Sequence, residues 1–202
     1  IKKFQLGYSL NEWEAFTSEA LNKGYNLKYL ESTGLTIVKT DSQNSSNTKQ
    51  FDRFKGRVMF PIHSMSGRVL GFGGRIIKKD TKAPKYLNSP ETIVYEKRKE
   101  LYGLNISKNE IRKSDQVFLV EGYMDVVSLN QSGVENVVAA SGTAFTEEQA
   151  RLVKRFSHNI TMLFDGDVAG VNASLKHIKT LLGAGLNVKV ALFPEDEDPD
   201  SF

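Results

Sequence analysis

The sequence predicts an α/β fold in which a basic, mixed α+β subdomain precedes a parallel sheet that is flanked by helices. Three features indicate this fold. Short apolar runs alternate with helix-like segments after Asp115, the net charge changes sign near the same residue, and acidic residues follow three of the apolar runs. Strands that alternate with helices of this length form parallel sheets with right-handed crossovers. We therefore divide the chain into subdomains 1–115 and 116–202.

The first subdomain begins with two predicted helices. Ser9 and Glu12 have the spacing of a capping box, which predicts a helix from there to about Asn22. The apolar stripe of this helix consists of Trp13, Phe16, Ala20 and Leu21. We interpret the stripe as core and not as a platform for stacking bases. A second helix is predicted near Leu27–Ser32, and residues 41–50, which lack apolar side chains, predict a surface loop.

The next segment is typical of strands. Residues 57–62 and 68–76 are rich in apolar side chains and flank a turn, which predicts an antiparallel hairpin. The second strand contains an unusual number of glycines, namely Gly71, Gly73 and Gly74. Such glycines indicate a bulge or a close approach of the backbone to a partner. Residues 78–92 predict a basic, irregular loop, and helical segments follow near 95–101 and 106–113.

The second subdomain alternates strands with helices. Its predicted strands lie near 117–120, 136–140, 159–164 and 187–192, and its predicted helices near 123–132, 146–157 and 168–182. The first strand, VFLV, is apolar throughout, as expected when helices cover both faces of a sheet. In such sheets the carboxyl ends of the strands meet at one edge, where ligands normally bind.

Acidic pairs follow three of these strands. The pairs are Glu121 with Asp125, Asp165 with Asp167, and Asp198 with Asp200. Carboxylates brought together at one sheet edge repel each other unless cations neutralise them, which predicts a site for hard divalent metals. Asp125 and Asp167 have an alternative use as caps of the helices that follow them, and the last pair resembles a solvated acidic tail when taken alone.

The charge is unevenly distributed along the 202 residues. Residues 1–115 contain 21 Lys and Arg against 12 Asp and Glu, whereas residues 116–202 contain 6 against 12, so the two parts carry +9 and −6. A basic surface beside an acidic site suits an enzyme that processes nucleic acid, because one part attracts phosphates and the other holds metal ions. A solvated lysine-rich surface explains the charge equally well.

The composition excludes several kinds of metal site and a membrane-spanning segment. The chain has no cysteine, which excludes disulfides and thiolate zinc sites, and its three histidines are far apart in sequence. Zinc is therefore not expected. The sequence contains neither a run of 18 apolar residues nor a secretory signal, so we expect no membrane partner and a cytoplasmic location.

Several motifs resemble a known family. EGYMD, SGTAFTEEQ, DGDVAG and DEDPDSF occur in the order found in the Toprim domain, the metal-binding fold shared by bacterial primases, topoisomerases and certain nucleases. Upstream, FDRFKGRVMFPIHSMSGRVLGFGGR, PKYLNSPET and ELYGL are similar to the RNA polymerase domain of bacterial DnaG-type primases. The resemblance covers nearly the whole chain and implies a Toprim-type sheet in residues 116–202.

The resemblance also implies the site residues. The implied catalytic acidic residues are Glu121, Asp165, Asp167, Asp125, Asp198 and Asp200. Of these, Glu121, Asp165 and Asp167 would bind the metal, either Mg²⁺ or Mn²⁺. The basic residues implied to hold the template strand or the nucleotide are Arg53, Arg57, Arg75, Lys85 and Lys97.

A DnaG-type primase makes RNA primers on single-stranded DNA from ribonucleoside triphosphates, at the replication fork of bacteria. Two metal ions would stabilise the attacking and leaving oxygens of the nucleotidyl transfer. We expect a replicative helicase as a partner, through a C-terminal domain that this chain lacks together with an N-terminal zinc-binding domain. The alternatives are a Toprim nuclease or topoisomerase-like enzyme, and a catalytically inert fragment that binds nucleic acid.

Overall fold

The computed structural model describes residues 1–40, 48–78, 82–140, 145–164 and 177–193. The chain forms two compact units. The first consists of Ile1–Pro61 with Val69–Glu96, and the second of Ile62–Arg68 with Lys97–Phe202. Each unit has its own sheet or sheets.

The first unit combines two antiparallel sheets with two short helices. Its strands are β1 (Gly7–Tyr8), β2 (Thr36–Thr40), β3 (Thr48–Asp52), β4 (Arg57–His63), β5 (Val69–Ile76) and β6 (Tyr86–Asn88), and its helices are α1 (Ala15–Asn22) and α2 (Leu27–Ser32). The last two residues of β4 belong to the second unit. The larger sheet has the order β1-β4-β5-β6, and β2 pairs with β3 in a separate two-stranded sheet. The neighbouring β4 and β5 confirm the predicted pair of strands, and α2 has its predicted bounds.

The first helix begins later than predicted, at Ala15. Its cap is the buried Asp52 and not Ser9, so the predicted capping box is wrong. The carboxylate of Asp52 accepts hydrogen bonds from the Phe16 and Thr17 N–H groups at 2.7 and 2.9 Å, and from the Thr17 hydroxyl at 2.6 Å. The backbone of Ser9 instead pairs with the chain at Arg57, whose carbonyl accepts the Ser9 N–H at 2.9 Å.

The predicted apolar stripe is also wrong in part, because Trp13 and Phe16 are not core residues. Trp13 precedes the helix and is 66% exposed, and Phe16 is 40% exposed. The helix buries Thr17, which was not predicted, and Ala20, which belongs to the predicted stripe. Since the cap at Asp52 shifts the start of the helix, the face that packs inward begins at Thr17.

The glycine-rich strand β5 approaches the protein's own side chains. A Cβ atom at Gly71 would lie 3.1 Å from the Tyr95 ring, and one at Gly74 would lie 2.7 Å from the Phe54 ring. The predicted close approach is therefore internal. Two predicted loops contain strands that the sequence did not indicate: β3 starts at Thr48, and β6 lies within 78–92.

The second unit is built on a parallel sheet. Its elements are a 3₁₀ helix (Lys97–Lys99), α3 (Leu104–Ser114), β7 (Val117–Val120), α4 (Tyr123–Gln131), β8 (Val137–Ala139), α5 (Glu147–Lys154), β9 (Asn159–Phe164) and β10 (Asn187–Leu192). Residues 177–183 are also helical. The sheet order is β10-β9-β7-β8, and every neighbouring pair is parallel. The predicted fold class is confirmed, with all four predicted strands present.

The core of this unit lies between the sheet and its helices. It contains Ile111 of α3, Leu119 of β7, Val138 of β8, Met162 of β9 and Leu181 of the helical segment 177–183, each with an exposed fraction of 1% or less. Because α3 packs into this core, the compact units divide the chain after Glu96, ahead of the boundary near Asp115 that charge and periodicity indicate. None of the described helices has both the length and the apolar composition that a bilayer-spanning helix requires.

Candidate functional site

Glu121 lies at the carboxyl end of β7, one of the two central strands of the parallel sheet. The strand buries Val117, Leu119 and Val120, whereas Glu121 is exposed at the turn that leads into α4. The apolar strand thus ends where the chain reaches solvent and presents a carboxylate there. This is the edge at which ligands of parallel α/β sheets bind.

Asp125 supports the turn that carries Glu121. It lies in the first turn of α4, and its Oδ2 accepts a hydrogen bond from the Gly122 N–H at 2.8 Å. A carboxylate at this position stabilises the helix both by satisfying a free donor and by facing the positive end of the helix dipole. Of the two uses that the sequence left open for Asp125, the structure therefore shows the cap.

Two buried tyrosines lie next to this turn. Tyr123, the first residue of α4, contacts Tyr102 edge to face, with 4.7 Å between the ring centroids. Tyr102 also pairs with Ala139 of β8 through two backbone hydrogen bonds of 2.9 and 3.1 Å. Burial, with a further effect of Tyr123, raises the pKa of Tyr102 well above its ordinary value, so the phenol stays neutral. The two tyrosines therefore connect the start of α4 to β8 and add no charge there.

Strand β9 ends beside β7 at the same edge. Leu119 of β7 pairs with Met162 of β9 in parallel register, and β9 ends at Phe164. The predicted ligands Asp165 and Asp167 come next in sequence, but they lie outside the described residues, as do Asp198 and Asp200. Among the residues that the structure does describe, no three acidic or histidine side chains form a metal site. Glu121 is an exposed residue, and carboxylate oxygens are ligands of the kind that Mg²⁺ and Mn²⁺ prefer.

The predicted basic residues differ in their surroundings. Arg57 is only 4% exposed, and its guanidinium donates to the carbonyls of Gly74 and Lys85 at 3.1 and 3.3 Å. Arg53 donates from Nε to the Gly34 carbonyl at 2.7 Å and is half-buried. Burial lowers the pKa of both arginines, although a guanidinium remains charged at neutral pH. Both side chains therefore position the backbone around them.

Arg75 and Lys85 lie close to an aromatic ring on the edge of the larger antiparallel sheet. Arg75 pairs with Tyr86 across β5 and β6, and the charged groups of Arg75 and Lys85 each lie 6.0 Å from the centroid of the Tyr86 ring. Two cations beside a half-exposed ring suit contacts with both the phosphates and the bases of a nucleic acid. Sequence patterns alone did not single out Tyr86, although its position directly after Lys85 was a usable signal.

Lys97 belongs to the second unit, in the 3₁₀ helix Lys97–Lys99. This helix contains three consecutive basic residues, and its carbonyls are held by α5 and the residue that caps it. The side-chain amide of Gln149 donates to the carbonyls of Lys97 and Glu100 at 3.3 and 2.8 Å, and the Thr146 hydroxyl donates to the carbonyl of Arg98 at 2.6 Å. The helix is therefore a fixed basic element of the unit that carries Glu121.

Comparison with known proteins identifies the family. A family model described as the DNA primase catalytic core, N-terminal domain, matches residues 1–108, and a Toprim-like model matches residues 118–202. The chain belongs to the DNA primase catalytic core family. This family generally uses divalent metal ions, which the exposed carboxylate of Glu121 suits chemically.

Relatives align with nearly all of this chain. The DNA primase of Clostridium acetobutylicum is 42% identical over an alignment of 203 positions, which covers 100% of this chain and 32% of the relative. The chain thus spans about a third of the length of the curated relatives it matches.

Solved structures give the same result. The zinc-binding and RNA polymerase domains of Aquifex aeolicus primase are 39% identical with a TM-score of 0.88, covering 98% of this chain and 47% of that one. A DnaG primase catalytic domain bound to single-stranded DNA is 37% identical with a TM-score of 0.83, covering 99% of this chain and 63% of that one.

Proposed function

We propose that this chain is the RNA polymerase core of a bacterial DNA primase, which joins ribonucleotides into short RNA primers on single-stranded DNA for replication. The observation that carries the proposal is the exposed Glu121 at the carboxyl end of a central strand in a Toprim-like parallel sheet. The primase match over residues 1–108 and the excess of basic residues there support a nucleic-acid substrate. In this proposal, 1–115 binds the template and 116–202 performs the chemistry.

The proposed reaction joins two nucleotides at a single phosphorus. The 3′-hydroxyl oxygen of one ribonucleotide attacks the α-phosphorus of the next triphosphate, the bond to the pyrophosphate oxygen breaks, and pyrophosphate leaves. We assign Glu121, Asp165 and Asp167 to metal binding, with Glu121 also able to accept the hydroxyl proton. Mg²⁺ or Mn²⁺, when bound there, supplies charge stabilisation for the attacking and leaving oxygens.

The basic residues divide into two roles in this proposal. Arg75, Lys85 and Lys97 are assigned to phosphates of the template or the nucleotide, because their charged groups lie on half-exposed or exposed positions. Arg57 and Arg53 act mainly as positioning residues. Arg57 holds the carbonyl of Lys85 next to β5 and so fixes the segment that carries the Lys85 side chain.

The proposed substrates and partners follow from this reaction. Single-stranded DNA is the template and ribonucleoside triphosphates are the substrates, and the relative solved with single-stranded DNA supports the first of these. A replicative helicase is proposed as a partner through a domain outside this chain, since the relatives are about three times longer. The bacterial cytoplasm, at the replication fork, is the place where this function is required.

A primer-synthesis assay tests the proposal. The 202-residue chain is incubated with a single-stranded DNA template, labelled ribonucleotides and Mg²⁺ or Mn²⁺, and RNA products are resolved by length. Glu121→Gln should lower the rate by about 100-fold or more, because a positioned carboxylate that accepts a proton contributes on that scale. Glu135→Gln is the matched control, since Glu135 is also exposed but precedes β8 and so lies at the opposite edge of the sheet.

The same assay separates the alternatives. Cleavage of the template without synthesis would favour a Toprim nuclease, and relaxation of supercoiled plasmid would favour a topoisomerase-like enzyme. DNA binding without synthesis, cleavage or relaxation would indicate an inert nucleic-acid-binding fragment. Equal rates in the Glu121→Gln and Glu135→Gln variants would remove Glu121 from the chemistry.

A further inference from the structure

Five side chains of the first unit form a continuous strip that the assigned site does not include. They are Lys39, Lys49, Phe51, Trp13 and Lys55, and we call them the aromatic–lysine strip. The strip runs from the sheet of β2 and β3 to the segment before α1. It combines three positive charges with two aromatic rings, which is the composition of a surface that binds single-stranded nucleic acid.

Strand pairing determines the positions of the two lysines at one end of the strip. Lys39 of β2 lies directly opposite Lys49 of β3 in the antiparallel register, and both side chains are exposed. Like charges directly opposite each other on one face of a sheet destabilise it. An anion between or above the two ammonium groups would reverse this unfavourable effect, so the pair favours a bound phosphate over a purely structural use.

The aromatic end is joined to the lysines by direct contacts. Lys39 Nζ lies 5.6 Å from the centroid of the Phe51 ring, and Trp13 meets Phe51 edge to face at 6.2 Å. Lys55 Nζ lies 3.7 Å from the centroid of the Trp13 ring. The Asp52 N–H donates to the Trp13 carbonyl at 2.7 Å, which anchors the backbone of Trp13 beside β3.

The exposure of Trp13 is the strongest sign of a ligand. Its side chain is 66% exposed although tryptophan is usually well buried in a folded protein. The contact of the half-buried Lys55 with this solvent-exposed ring is worth about 1 kcal/mol, which is less than the burial of the ring would contribute. Stability therefore does not explain why a large ring remains in solvent here.

We propose that the aromatic–lysine strip binds single-stranded DNA, with a base stacked on Trp13 and backbone phosphates held by Lys39, Lys49 and Lys55. This inference rests on the proposed function, because the template of a primase is such a strand, and it adds a contact surface beyond Arg75, Lys85 and Lys97. Glu12 and Glu14 flank Trp13 in the chain and are exposed. Their charges repel phosphates, so Lys39 and Lys49 are the preferred phosphate ligands.

Trp13 itself provides the test, since it is the only tryptophan of the chain. A dT oligonucleotide, which carries no competing fluorophore, is titrated into the 202-residue protein while tryptophan emission is measured. Stacking should quench the emission with the same Kd as that obtained from the anisotropy of an end-labelled strand. Trp13→Ala should weaken binding about 5–10-fold, and Trp13→Phe, which retains a ring, should weaken it less.

Charge variants test the lysine end. The double variant Lys39→Gln, Lys49→Gln should lower the slope of log affinity against log salt concentration by about 1.4, because each lost phosphate contact contributes about 0.7 on single strands. Glu12→Gln with Glu14→Gln should strengthen binding. Tyr29→Ala is the control for Trp13→Ala, because Tyr29 is 68% exposed in the same unit but does not belong to the strip.

The outcomes separate this inference from the proposed function. The strip is not a binding surface if single-stranded DNA leaves Trp13 emission unchanged and binds wild type, Trp13→Ala and the lysine double variant with equal Kd. This result would leave the proposed primer synthesis unaffected. Loss of binding in Tyr29→Ala as large as in Trp13→Ala would overturn this inference too. A protein that binds no single-stranded DNA at all would contradict the proposed function as well. Circular dichroism spectra identical to wild type confirm that the variants are folded.

Discussion

Asp52 determines where the first helix begins, although it lies more than thirty residues away in sequence. Its buried carboxylate satisfies two backbone donors and one hydroxyl at the start of α1. Thr17, which provides two of these donors, also contacts the Thr36 hydroxyl at 2.8 Å. The cap therefore connects α1 to both strands of the small sheet, and this sheet carries Lys39, Lys49 and Phe51.

Asp52→Ala is expected to destabilise the protein by about 2–4 kcal/mol, because the variant loses a helix cap and leaves buried donors without an acceptor. Ser9→Ala, at the cap position that the sequence indicated, should change the free energy of unfolding by less than about 0.5 kcal/mol. Urea unfolding followed by Trp13 fluorescence measures both, since Trp13 closely precedes α1. Equal effects of the two substitutions would contradict the cap assigned to Asp52.

At the scale of elements, the glycines of β5 allow other parts of the first unit to pack against the strand. Gly71 faces Ser89 and the ring of Tyr95, and Gly74 faces Phe54 and the stem of Arg57. The buried guanidinium of Arg57 then reaches the carbonyls of Gly74 and Lys85. The close packing at these glycines thus contributes to the placement of Lys85.

Gly74→Ala should destabilise the protein by about 1–3 kcal/mol, because the added methyl group would lie 2.7 Å from the Phe54 ring and 3.0 Å from the Arg57 side chain. Gly7→Ala in strand β1 is the matched control, since a methyl group at Gly7 would have no other atom within 4 Å. Chemical unfolding of both variants gives the comparison. Equal free energies of unfolding for Gly74→Ala and Gly7→Ala would contradict the prediction and show that the side chains around β5 can move to accommodate a methyl group.

The parallel sheet could be predicted from the sequence far better than the antiparallel ones. Strands 117–120, 159–164 and 187–192 have the predicted bounds. The first is a continuous apolar run, as expected for a strand covered on both faces, and the other two were located by the alternation of strands with helices. Strands β2, β3 and β6 were not predicted. Their residues are mostly polar or half-exposed, so their pairing depends on contacts with distant parts of the chain, such as Asp52 with α1, and local patterns do not encode such contacts.

At the scale of the whole molecule, the two halves of the sequence carry net charges of opposite sign, +9 in residues 1–115 and −6 in residues 116–202. The position of Glu121 at the end of a buried strand could be predicted from the apolar run that precedes it, whereas its role stays a prediction. The role of Arg57 could not be predicted, because its burial depends on Gly74 and on the carbonyl of Lys85, which come from separate strands and loops. Trp13 could not be predicted either, since its exposure follows from the unexpected start of α1.

This division of charge predicts that template affinity and catalysis respond to different substitutions. Glu121→Gln should leave the Kd for single-stranded DNA within about twofold of wild type, because the substitution removes a negative charge and no phosphate ligand. Arg75→Gln combined with Lys85→Gln should weaken binding and lower the salt-dependence slope by about 1.4, corresponding to two lost phosphate contacts. Anisotropy titrations at several salt concentrations measure both quantities, and primer synthesis is measured on the same preparations.

The control for total charge is Arg112→Gln combined with Lys113→Gln, which removes the same number of positive charges. Both residues are exposed at the end of α3, and Arg112 lies 4.8 Å from the centroid of the Phe156 ring. If net charge alone attracts the strand, this control should reduce the salt-dependence slope as much as the Arg75 and Lys85 pair does. If the edge formed by β5 and β6 binds phosphates, only that pair should reduce the slope. Because both cations lie 6.0 Å from the centroid of the Tyr86 ring, the second result would also assign this edge as part of the path of the template.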